Sequence, residues 1–244
     1  TYISLEDEKE LLISEGDKKK NGFFDRYKKY IETFNATYHL PFAGEYILGG
    51  KLSFLNDYRG VADAYELKSI DDRAIVLLNG GEIDLVNNVV KKERLSVYNE
   101  QELKKRISDV KDCLLDYEKE IFLPIDKINF MRLLNAASMK AVKKSEVDEE
   151  YHLIFSILDN DDQVKLRFDI NTQDGAVRPM PLDAEVEYLE FSEIKIDYRY
   201  LYGLLTTVYH WNNAEVGSQF FTKRYPLNNF KPKVQGFLNF LSIA

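Results

Sequence analysis

Leu123-Pro124-Ile125-Asp126-Lys127-Ile128-Asn129-Phe130-Met131-Arg132-Leu133-Leu134-Asn135-Ala136-Ala137-Ser138 is the stretch from which the fold is read. The apolar run Ile121 to Ile125 predicts a short strand. Asp126 can accept from the backbone N–H groups that a starting helix leaves free, so it predicts the N-cap of a helix from about Lys127 to Lys140. Ile128, Met131, Leu134 and Ala137 make the core face of that helix. Strands are then expected at Tyr151–Leu158, at Val164–Ile170, where apolar and charged residues alternate, and at Ala184–Leu189. Asp159 to Asp162 and Asp174-Gly175 are the turns.

The order then repeats. Glu193 to Ile196 is a strand, Asp197 can cap a helix from Tyr198 to about Val208, and Glu215-Val216, Phe220 to Thr222 and Phe237 to Ile243 are three more short strand candidates. The repeat is one of pattern, with little residue identity. One such block cannot bury its own helix and sheet, whereas two can share a core. The helices would then lie on one face, and their side chains would choose the partner. The expected class is α+β, with antiparallel sheets and duplicated strand-helix-strands units in the second half.

The first half has a different texture. Leu5–Leu12 reads as a short helix that Gly16 ends, residues 17–22 as a solvated turn, and Phe23–Phe34 as a second helix with Phe24, Tyr27, Ile31 and Phe34 on one stripe. Tyr46–Leu48, Lys51–Leu55 and Ala74–Leu78 look like strands, with a hairpin turn at Asn79-Gly80. Glu100–Tyr117 reads as a charged helix burying Leu103, Ile107, Val110 and Leu114. Two domains are expected, residues 1–118 and 119–244.

A chain of 244 residues, 45% hydrophobic and 30% charged, is too apolar for disorder. Cys113 is the only cysteine, which excludes an internal disulfide, and it reads as a small apolar residue on a helix. No apolar run approaches the roughly 18 residues of a membrane span. Thr1 to Asp7 has no signal-peptide pattern, and an intracellular place is expected, cytoplasmic or, for a viral protein, in the virion or host cytoplasm. The start at Thr1 suggests processing or a piece of a longer chain. The net charge of −8 argues against nucleic acid only if the charge is spread evenly, because contact is governed by local distribution.

Residues from Ile121 to the end resemble one domain of a DNA sliding clamp. The pieces that carry the resemblance are Leu123–Ser138, then Ile194-Lys195-Ile196-Asp197-Tyr198-Arg199-Tyr200-Leu201-Tyr202-Gly203-Leu204-Leu205, and the end Gly236–Ala244, similar to a final clamp strand. The resemblance implies a non-enzymatic ring, a trimer as in phage and eukaryotic clamps, that encircles duplex DNA and tethers a polymerase or other partners through their peptides. Arg132, Lys140, Lys143, Lys144 and Arg199 would then face DNA. The alternative is a binding or structural domain of a larger viral or replication assembly, in which the clamp-like pattern is architecture only.

No enzyme motif competes strongly. His39, His152 and His210 have no second metal ligand at a usable spacing. Gly80-Gly81-Glu82-Ile83-Asp84-Leu85 resembles part of the Mg²⁺ site of restriction-endonuclease-like nucleases, but no Glu-x-Lys strand follows it, and a hairpin with exposed acids explains Glu82 and Asp84. No catalytic residue, cofactor or metal is therefore assigned.

Overall fold

The structure, a computed structural model, describes residues 9–42, 46–58, 60, 62–97, 99–120 and 122–243. It is α+β, and it divides into two compact units, Lys9–Leu114 and Leu115–Ala244.

In the N-terminal unit one helix, α1 (Lys9–Thr33), replaces the two expected. Gly16 does not break it. A Cβ on Gly60 would stand 2.5 Å from the Gly16 carbonyl oxygen, so Gly16 marks a close backbone crossing, and a mid-helix glycine costs only about 1 kcal/mol. Leu12 is buried, and Gly16, Lys20, Phe24, Tyr27 and Ile31 continue the covered stripe at spacings of three and four. Residues 46–49 and Gly50–Tyr58 are loop and 3-10 helix where strands were expected, with Leu52 and Leu55 buried. Strands β1 (Leu77–Asp84) and β2 (Val89–Glu93) form the hairpin. Its turn is at residues 85–88, and Asn79-Gly80 lies inside β1, where the register shifts and Gly80 takes φ +71°. The turn signal there is a bulge. Helix α2 (Glu100–Val110) is capped by Asn99 and Glu102 on each other's backbone N–H, ends seven residues early, and buries none of its own residues. Cys113 lies past its end and is exposed.

Asp71 ties this unit together. Its buried carboxylate accepts from the Tyr27 hydroxyl at 2.6 Å and from His39 Nδ1 at 2.7 Å, while His39 pairs with Ala74 in an isolated parallel bridge. Burial pushes the carboxyl up, but the bonds from Tyr27 and His39 outweigh it and hold it below the usual carboxylate range. A depressed folded value means that its stabilisation is present above the unfolded pKa of about 3.9 and is lost as pH falls through the folded value. The Asp71→Asn variant should therefore differ most from the parent near neutrality and converge with it in acid. Hydrogen exchange of the His39 and Ile75 amides across that range measures this, and a difference that does not change with pH would rule the linkage out.

The C-terminal unit is one five-stranded sheet. Its helices are α3 (Asp116–Lys119), α4 (Phe130–Ser145), α5 (Tyr198–Leu205), α6 (Trp211–Val216) and α7 (Pro232–Phe240). Its strands are β3 (His152–Leu158), β4 (Val164–Asn171), β5 (Val177–Pro179), β6 (Phe191–Asp197) and β7 (Phe220–Tyr225), in the order β5-β4-β3-β6-β7. All neighbours are antiparallel except the central β3/β6 pair, in which Phe155 lies beside Ile194.

Four expected strands are absent, and with them the two matching copies. Phe122 to Pro124 is loop leading to a 3-10 turn at Ile125–Lys127, and Ile121 lies outside the described residues. Residues 184–188 pair with no strand and Leu189 lies in a bend, and Phe237–Ile243 is mostly the end of α7. Glu215-Val216 closes α6. Expected strands β3, β4, β6 and β7 stand within two or three residues of their places, and Asp197 caps α5 as expected, accepting from the Arg199 N–H at 2.9 Å. The cap of α4 is Asn129, not Asp126.

The period of two in a strand separates the two sheet faces. Leu153, Phe155 and Ile157 of β3, Phe168 and Ile170 of β4, and Ile194 and Ile196 of β6 join Leu134, Leu201, Trp211 and Phe237 in one core on the helix side. Gly203 of α5 lies so close to Tyr209 that a Cβ would stand 2.3 Å from its ring. The other face carries His152, Ile154 and Ser156 of β3 and Asp169 of β4, all buried. They are covered by a strap, residues 180–190, which carries the chain from edge strand β5 over β4 and β3 to β6. The Arg167 guanidinium donates to the Ala184 carbonyl, and the Tyr188 ring stacks on His152 with centroids 3.5 Å apart. The Tyr188 hydroxyl donates to Asp169 Oδ2 at 2.7 Å, and His152 Nδ1 donates to Oδ1 at 2.7 Å. Burial and the Asp169 carboxylate push the Tyr188 phenol up to about 12.

Candidate nucleic-acid interface

Helix α4 is FMRLLNAASMKAVKKS: four cations and no acid, in a chain with 41 acidic and 33 basic residues. Its burial pattern orients it. Phe130, Leu134, Ala137, Ser138 and Ala141 are buried, and α7 packs alongside. Opposite this face, Arg132, Ala136, Met139 and Lys143 are exposed, at spacings of four, three and four. They form one ridge, and the ends are about 16 Å apart at 1.5 Å per residue. Lys140 and Lys144 flank it on the α7 side. Lys140 Nζ lies 3.4 Å from the Ser242 hydroxyl, and Lys144 stands over the Phe240 ring at 5.9 Å.

Among the described residues none of these four cations pairs with a carboxylate, whereas their neighbours do. Lys231 bridges Glu149 and Glu190, Lys233 meets Asp148, and Arg199 meets Asp197. The unit has acids to spare, so the α4 cations are not left over for want of partners. Lys143 and Lys144 lie in the last turn, where they offset the negative end of the helix dipole. That accounts for two of the four. Arg132 is in the first turn, where the dipole disfavours a cation, and helix stability does not explain it.

Arg199 does not join the group. Its guanidinium lies on Asp197 at 3.0 and 2.7 Å, and that carboxylate raises its pKa. Six of the eight residues of α5 are buried, so this helix offers no second basic face.

No protein-family model matches the chain, and no curated protein matches it. Sterol carrier protein 2 from Yarrowia lipolytica, in its apo form, is a similar solved structure. It is 9% identical, spans 50% of this chain and 96% of its own, and superposes with a TM-score of 0.33. A likeness that slight bears on neither partner nor chemistry.

The remaining candidates are occupied by structural work. Asp84 accepts from the backbone N–H groups of Val86 and Asn87 and from the Asn87 side chain, which holds its carboxyl low, and Glu82 pairs with Lys91. His210 caps α6, and the Trp211 indole N–H donates to the Leu241 carbonyl inside the core. Among the described residues no group of three or more His, Cys, Asp or Glu could hold a metal ion, and no helix is long and apolar enough to cross a membrane. A pocket of about 350 Å³ in the N-terminal unit is lined by Leu40, Pro41, Phe42, Ala64, Ile75, Val76 and Leu77, without a polar side chain to orient a substrate. The α4 ridge was visible in sequence as residue types. Which cations were free of carboxylates was not, because their pairing depends on tertiary neighbours.

Proposed function

We propose that the C-terminal unit is a non-enzymatic module that holds DNA by its phosphates along α4. The observation that carries this reading is the set Arg132, Lys140, Lys143 and Lys144, which meets no carboxylate among the described residues, on one acid-free helix of an acidic chain. Phosphate contacts of this kind give affinity without sequence preference. The sliding-clamp reading asks in addition for a second basic helix beside the first. With α5 buried and Arg199 on Asp197, the DNA contact is carried forward and the ring is not. Tethering of a polymerase would then rest on surfaces other than α4.

Fluorescence anisotropy with a short labelled duplex tests the reading. Four phosphates neutralised predict a slope of log K against log salt of about −3.6. The double variant Arg132→Glu with Lys143→Glu should bind at least about tenfold more weakly and flatten that slope by roughly two. No binding at low salt, or equal binding by the double variant, would overturn the proposal.

A further inference from the structure

The strap carries the opposite charge pattern to α4. From Pro179 to Ile194 the chain holds Asp183, Glu185, Glu187, Glu190 and Glu193 and no cation. Ala184, Val186 and Tyr188 are half-buried, while Asp183, Glu185 and Glu187 are exposed between them. Asp183 lies in the turn that the Ala184 N–H closes onto the Pro181 carbonyl, and the strap past it sets Glu185 and Glu187 about 6.6 Å apart. None of the three pairs with a cation among the described residues. Leu189 is 93% exposed.

We infer that α4 of one copy docks on the strap of a second copy wherever nucleic acid does not occupy it. The inference rests on the reading that α4 takes a row of anions. Charge complementarity selects the occupant: a cation-free run with Asp183, Glu185 and Glu187 exposed faces a cationic ridge of about 16 Å. Both also offer exposed apolar side chains, Leu182 and Leu189 on the strap and Met139, 51% exposed, on the ridge. Within one copy the two cannot meet. Helix α4 shares the core with Phe155 and Ile194 on one side of the sheet, and the strap covers His152 on the other. The contact is therefore between different surfaces of two copies, and such contacts repeat head to tail. The overall charge of −8 opposes association, but charges beyond about 10 Å are largely screened at 0.1 M salt.

Sedimentation of the full chain tests this. The mean mass should rise with protein concentration at moderate salt. It should fall to the monomer near 1 M salt, where the Debye length is about 3 Å, and also on adding duplex DNA. The Glu185→Lys, Glu187→Lys variant should stay monomeric, as should Arg132→Glu, Lys143→Glu. An equal mixture of the two should associate, because the intact α4 of the strap variant meets the intact strap of the α4 variant. A parent chain that is monomeric at every concentration, or strap variants that associate as the parent does, would overturn the inference. Anisotropy with the strap variant reads the DNA proposal separately, since its α4 is untouched. Binding there, without self-association of the parent, would sink this inference alone.

Discussion

Replacing Asp169 by alanine should destabilise the C-terminal unit by about 2–5 kcal/mol, because two hydrogen-bond donors lose one shared buried acceptor. Its carboxylate is the common acceptor for His152 Nδ1 and the Tyr188 hydroxyl, both at 2.7 Å, and it is buried. Alanine leaves two donors facing each other across a space closed to water, and each unsatisfied buried group costs about 1–3 kcal/mol. The loss should appear at the strap first. Tyr188 is its main inward anchor, and without it the cover over Ile154 loosens. The Asp169→Asn variant keeps one acceptor oxygen and should lose less. Urea unfolding followed by fluorescence of Trp211, the single tryptophan and a core residue of this unit, gives the number. A loss within about 0.5 kcal/mol, as for an ordinary surface substitution, would show that the cluster holds nothing in place.

The second large effect is expected on α4. Leu134 is fully buried on the face opposite the cationic ridge, so Leu134→Ala should cost about 2–5 kcal/mol through lost burial and the cavity left behind. Met139 is on the same helix but on the solvent side, and Met139→Ala should stay within about 0.5 kcal/mol. Urea unfolding of the pair separates the two faces of the helix. Equal losses would mean that α4 does not sit as described. Because the ridge is presented by a helix anchored at Leu134, the first variant should also weaken DNA binding near its unfolding midpoint, whereas the second should leave stability intact.

What the sequence made legible follows from which forces are local. Strands β3, β4 and β6 were readable because alternation and polar turns are set within a few residues. The Asp197 cap was readable for the same reason: one carboxylate meets the N–H two residues on. The strap misled for a physical cause. Ala184, Val186 and Tyr188 alternate with acids because one side of an extended chain lies on a sheet face, and that pattern is identical to that of a paired strand. Phe237 to Ile243 was apolar enough for a strand, yet packing beside α4 made most of it helix. In the first half Gly16 and Gly80 look like punctuation in the sequence. One is a helix position pressed against Gly60, the other a bulge, and neither role can be seen without the opposing backbone. As for the site, the four α4 cations were named from residue type, while the withdrawal of Arg199 onto Asp197 needed coordinates.

The central β3/β6 pair has a consequence for how the unit can be divided. Its partners are Phe155 and Ile194, and everything between them, two strands and the strap, is threaded out to one edge and back. A cut in residues 180–190 would leave β3-β4-β5 on one piece and β6-β7 on the other, each ending in a bare strand that the other piece completes. Two duplicated modules could be cloned apart and each still fold. Here the middle of the sheet is assembled from both sides of the cut, so neither fragment is a domain, and they can regain the native sheet only by finding each other.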